Sequence, residues 1–141
     1  MKFLTKKQEK RVVAAIVKAE KQTSAEIKVH IDKSCKGDPL ERAKELFLQL
    51  EMDQTELRNG VLIYVSEDRT TAIVGDQGIN EKVSDDFWIE THREMVRLFA
   101  KGDRDGALCS AIESAGERLK EFFPYQEDDI NELSDEISYE K

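Results

Sequence analysis

The chain has 141 residues and a mass of 16.2 kDa, the size of one domain and enough to bury a hydrophobic core without staples. Its formal net charge is −8, yet the last sixteen residues hold seven acids and one base, and without them 30 acids and 22 bases fall to 23 and 21, a net −2. A near-neutral body excludes the clustered basic face that nucleic acid or an anionic membrane demands, and two cysteines without paired spacing exclude a disulfide framework or a structural zinc site.

The N-terminus runs straight into a charged helical pattern and no apolar stretch reaches transmembrane length, so a cytoplasmic monomer without a membrane anchor is expected. Thr5 is placed as an N-cap, and Val12, Val13, Ala15, Ile16, Val17 and Ala19 recur with helical spacing up to about Lys21. After the Gln22-Thr23-Ser24 turn, residues 25–32 alternate apolar and polar with the period of a half-buried strand. Asp38-Pro39 opens a second helix, with Leu40, Ala43, Leu46, Phe47 and Leu50 as its buried stripe. Leu57-Arg58-Asn59-Gly60 turns the chain into Val61-Leu62-Ile63-Tyr64-Val65, an apolar run that predicts a central strand covered on both faces. The polar turn at Asp68-Arg69 then predicts a hairpin with residues 70–74. Ile79 to Val83 offers a candidate fourth strand.

Ser84 or Asp85 is placed as the cap of a helix carrying Trp88, Ile89, Met95, Val96, Leu98 and Phe99, with the tryptophan read as core or as an interface anchor. A last helix takes Ala107, Leu108, Ala111, Ile112, Ala115, Leu119 and Phe122 and stops before Pro124. The order implies an α/β fold, a three-layer α/β/α sandwich on a small mixed sheet, over residues 1–125. Residues 126–141 are an acidic tail, read as solvated or partly helical chain or as a partner-binding segment, that adds little to stability.

Several of these stretches resemble the TPM domain family. They are Phe3-Leu4-Thr5; Glu20-x-x-Thr23-Ser24-Ala25-Glu26-Ile27-x-Val29; Asn59-Gly60-Val61-Leu62-Ile63-x-Val65 with Asp68-Arg69; Gly75-Asp76-Gln77-Gly78-Ile79; Asp85-Asp86; and Phe99-x-x-Gly102-Asp103-x-x-Gly106. The likeness spans roughly residues 3–124. It implies a three-layer α/β/α domain, calcium binding as in some members, and a weak acid-phosphatase activity claimed for some. Other members carry a signal peptide and a membrane anchor, from which this chain departs.

Asp76, Asp85 and Asp86 form one set of loop carboxylates and Asp103 with Asp105 another, and hard oxygen donors beside glycines suit calcium. Glu26 and Glu20 offer further ligands from the same sheet end. The competing reading makes the aspartates helix caps and Glu26 part of a solvated strand face. The resemblance implies a shared metal role for Asp76 and one of Asp85 or Asp86. Catalytic residues stay unassigned: no Cys-x5-Arg or Asp-x-Asp-x-Thr is present, Cys35 lies between lysines as an exposed thiol, Cys109 belongs to the core, and His30 and His92 lack an evident triad partner. The leading expectation is a TPM-like module that binds a divalent cation and acts through an unknown protein partner, in stress response or assembly. The alternatives are a weak metal-dependent phosphatase and a metal-free interaction domain.

Overall fold

The computed structural model describes residues 3–126 and 135–140. Helix α1 (Lys6–Glu20) starts where expected, because Thr5 and Gln8 form a reciprocal capping box: each side chain accepts the other's backbone N–H, at 3.1 and 2.8 Å. Strand β1 (Glu26–Asp32) leads through helix α2 (Pro39–Gln49), capped by Asp38, into strand β2 (Gly60–Ser66), and β1 and β2 run parallel in register from Glu26 opposite Gly60 to Asp32 opposite Ser66. A crossover of that length is what parallel pairing needs. Strand β3 (Thr71–Gly75) returns antiparallel to β2 as the predicted hairpin, with Arg69 in the left-handed region at φ 76 to close the turn.

The chain continues through α3 (Gln77–Asn80), α4 (Ile89–Ala100) and α5 (Arg104–Leu119). Beyond them strand β4 (Ser138–Tyr139) lies parallel to β1, giving the sheet order β3-β2-β1-β4. One face of the sheet, through Ile27, Val29, Ile31, Ile63 and Val65, packs on α1, α4 and α5. The other, through Leu62, Tyr64 and Ala72, packs on Ala43, Leu46 and Phe47 of α2. Helices on both faces make the three-layer sandwich, and each fully buried Leu or Ile contributes about 1.5–3 kcal/mol relative to its exposed form.

Four local expectations are corrected. β1 is buried along its whole length, because the face that alternation marked as solvated is met by Glu136 and Ser138 of the returning chain, by Tyr64 and by Arg42 of α2. Helix α4 begins at Ile89 behind Trp88 with no side-chain cap, so Ser84, Asp85 and Asp86 lie in the preceding turn. Ile79 belongs to α3, not to a strand, because Asp76 caps a single helical turn there. Finally, the segment read as solvated tail contributes β4: Ser138 opposes His30, Tyr139 opposes Ile31, Glu140 N–H donates to Ile31 O at 3.1 Å, and Ile137 packs against the larger core. The tail residues Ile130 and Leu133 lie outside the described residues.

Candidate functional site

Parallel pairing of β1 with β2 and antiparallel pairing of β2 with β3 bring three chain segments to one end of the sheet. Glu26 stands opposite Gly60, and Asp76 N–H donates to Gly60 O at 2.9 Å from the other side. Asp76 is only 6% exposed, and its carboxylate is fully engaged. It accepts Gln77 N–H at 2.7 Å, capping α3, and a two-pronged contact from Arg58, Nε to Oδ2 at 2.8 Å and Nη2 to Oδ1 at 3.0 Å. Arg58 itself sits at φ 51, a left-handed conformation that a side chain with a Cβ adopts at some cost. The neighbouring turn is pressed against it: Gly78 N–H donates to Arg58 O at 2.8 Å, and a Cβ at Gly78 would fall 2.2 Å from Leu57 O. Thus the motif Gly75-Asp76-Gln77-Gly78 is explained by loop-to-loop packing as well as by any ligand.

The other expected ligands are dispersed. Asp85 and Asp86 are exposed on the turn before α4, with Asp86 bonded by the Ser84 hydroxyl. Glu26 is buried on β1. Glu20 accepts Ile27 N–H at 2.9 Å, and burial, followed by the facing Asp135, pushes its carboxyl up to about 10. Asp103 caps α5, accepting Gly106 N–H at 3.1 Å, and a Cβ on Gly106 would lie 2.1 Å from that carboxylate. Its neighbour Arg104 lines a cavity with Val65 and Ser66, at the far end of β2 from Gly60. Seven strand residues separate the two ends by roughly 20 Å, so Asp76 and Asp103 cannot share an ion. Asp105 pairs with Arg11 at 2.8 Å. Among the described residues no three His, Cys, Asp or Glu side chains are grouped to hold a metal. Asp76 and Asp103, which belong to the two separate carboxylate sets, thus lie at opposite ends of the sheet, and a cation on Asp76 would compete there with Arg58.

A second polar constellation was not legible beforehand. On the α2 face of β1, Asp32 is 1% exposed and accepts hydrogen bonds from Arg42 Nε at 2.9 Å and Tyr64 Oη at 2.7 Å, while His30 Nε2 lies 2.6 Å from its other oxygen. Burial alone would raise the Asp32 carboxyl, but its bonds to Arg42, Tyr64 and His30 outweigh that and hold it below the usual carboxylate range. His30 is driven down by burial despite the carboxylate beside it, and Tyr64 is driven up by burial and by Asp32. His30 also stacks on Tyr64 with ring centroids 6.1 Å apart and reaches Ser138 Oγ through Nδ1 at 2.9 Å. Hydroxyl, imidazole and carboxylate follow one another as in an acyl-transfer triad. Here, however, His30 is 3% exposed inside the sheet and the serine lies on the paired strand, so the chain of bonds fastens β4 to β1. The only sequence signal was Lys28, His30 and Asp32 at every second position.

The remaining candidates take structural places. Cys109 is buried, its thiol raised by burial, and Cys35 is half-buried with its N–H on Asp68 at 3.1 Å. His92 Nε2 meets the Thr71 hydroxyl at 2.7 Å. Trp88 packs edge-on to Phe87 at 4.7 Å within the core cluster at the Asp76 end. Beside Asp76 a shallow cavity of about 470 Å3 opens between α2 and the β3–α3 junction, with Phe47 and Val74 behind it and Leu48 at its edge.

These elements define a small three-layer α/β domain built from a parallel crossover followed by a hairpin. The TPM domain model matches residues 1–118, and the chain belongs to that family. Among solved structures it is similar to the BA42 protein of the psychrophilic bacterium Bizionia argentinensis, at 48% identity and a TM-score of 0.92, covering 99% of this chain and 97% of that one. Two more distant N-terminal domains share the fold alone. One from P. gingivalis gives 16% identity and a TM-score of 0.70 over 88% of this chain and 82% of its own. One from Corynebacterium glutamicum gives 15% and 0.65 over 98% and 80%. No curated protein matches significantly. No helix among the described residues is long and apolar enough to cross a membrane.

Proposed function

We propose that this TPM domain works as a binding module that takes a protein partner at the cleft beside Asp76, rather than turning over a substrate. The observation that carries this reading is Leu48, which is 63% exposed on α2 at the edge of that cleft, with the charged residues Lys44 and Glu81 in the same lining. An exposed apolar anchor inside a charged rim has the composition of an interface. The rival phosphatase reading needs a free nucleophile or a metal pair, and the Asp76 carboxylate is already bonded by Arg58 and Gln77.

A divalent cation, calcium by the hardness of the donors, belongs to this reading as an exchangeable ion on the exposed Asp85 and Asp86, and not on Asp76 or Asp103. Millimolar calcium should then shift the amides of Ser84 to Phe87 and leave Gly75 to Gln77 in place. Affinity capture compares the wild type with Leu48→Glu and with Ile89→Glu, a control at another exposed apolar residue. A partner kept by the wild type and Ile89→Glu but lost by Leu48→Glu supports the module. Retention by all three places the contact elsewhere, and p-nitrophenyl phosphate hydrolysis abolished by Asp76→Asn makes the protein an enzyme.

A further inference from the structure

At the sheet end opposite Asp76, a cavity of about 310 Å3 lies between the β2–β3 hairpin and the corner joining α4 to α5. Its wall is apolar, formed by Phe3, Val65, Val96 and Phe99, and Val96 is 42% exposed at the opening. Into this lining two arginines contribute, Arg69 from the hairpin tip and Arg104 from the first turn of α5. The arginines in ion pairs are Arg11, Arg42, Arg58, Arg93 and Arg97. Arg69 and Arg104 have no such pair among the described residues, and Glu67 is the one acid in the lining.

The Arg104 guanidinium is held before any ligand arrives, and the turn that carries Arg69 is fixed. Arg104 donates from Nη1 to Phe3 O at 3.0 Å and lies over the Phe3 ring, 4.6 Å from its centroid. Arg69 is carried at φ 76 by a turn whose Asp68 is tied to the Ser66 hydroxyl and to Cys35 N–H. A cavity of this volume, apolar in its body with a few oriented polar groups, suits a small ligand. The charge decides its chemistry: a neutral apolar guest would strip water from the guanidinium groups without replacing it, and a bare inorganic anion would leave the apolar wall unused. From this combination we infer that the cleft binds a small amphipathic carboxylate, its head on Arg69 and Arg104 and its apolar body against Phe3, Val96 and Phe99. The site is remote from the Asp76 cleft, so it stands or fails independently of the partner-binding reading.

The experiment is an amide NMR titration of the full chain with sodium octanoate, with acetate and octanol as separate arms. Octanoate should give saturable shifts at Thr71, Val96, Phe99 and Gly102, while acetate and octanol shift these resonances far less. Arg69→Gln should weaken octanoate about tenfold, the loss expected for one charge-assisted contact, and Arg69→Lys should recover part of it. Arg104→Gln should weaken it as well; because Arg104 also holds Phe3, its spectrum without ligand reports whether the fold is kept. Equal binding of octanol, octanoate shifts confined to other surfaces, or affinity unchanged by both Arg69→Gln and Arg69→Lys would overturn the inference.

Discussion

Two buried aspartates, Asp76 and Asp32, are each bonded by an arginine, but they sit at opposite ends of the sheet and do different work. Asp76 closes a contact between two loops, and its Arg58 partner is 43% exposed. Asp32 ties together four elements: it is bonded by Tyr64 of β2 and Arg42 of α2, and through His30 of its own strand β1 it is linked to Ser138 of β4. The difference teaches that a carboxylate beside glycines in a loop can be a joint, whereas an unremarkable strand aspartate can be the hub of the fold. Water can stand in for Arg58 at a half-open pair, but nothing replaces lost partners around a side chain that is 1% exposed.

The most severe break should come at the hub. Asp32→Asn should cost about 3–5 kcal/mol in urea unfolding, the range for removing one member of a buried charged pair. A loss below about 1 kcal/mol would mean that Arg42 and Tyr64 are satisfied by water instead. The pH profile sharpens the same point. The Asp32 carboxyl is held low, so its contribution is complete above the ordinary carboxylate value of about 3.9 and is lost as pH falls through the lower folded value. His30 is also held low, so the unfolded chain takes up its proton first and stability falls as pH drops below about 6.5 toward the folded value. His30→Gln should flatten the profile just below about pH 6.5 and leave the acid limb to Asp32.

Asp76→Asn comes next, at about 2 kcal/mol, because it weakens a charge-assisted contact and a helix cap together. A double-mutant cycle with Arg58→Gln should show coupling between the two, and additive losses would mean that the pair contributes nothing beyond its separate parts. Removing residues 135–141 should have the smallest effect, about 1–2 kcal/mol from the His30–Ser138 bond and the half-buried Ile137. Unchanged stability, with the His30 ring still protected from exchange, would show that β4 only rests on the sheet.

Most elements were readable because their causes are local. Thr5, Asp38 and Asp103 cap the helices they precede, the Val61–Val65 run is buried on both faces, and the turn at Asp68-Arg69 closes a hairpin. Each depends on residues within a few positions, where spacing and backbone preference act directly. Even so, Asp85 misled as a cap, because α4 is held by packing of its apolar face and needs none.

The partners of the carboxylates lay beyond that reach. Arg58 is 18 residues from Asp76, Tyr64 is 32 from Asp32, and Ser138 is 108 from His30. No periodicity encodes such distances; they exist only once the parallel crossover has set β1 beside β2 and the chain end has returned to the edge of β1. The residue types marked out groups that need partners, since a buried charge or hydroxyl cannot stay unpaired. Which groups would meet was a matter of strand order and register, and that same geometry separated Asp76 from Asp103 and set Arg69 and Arg104 on one cavity.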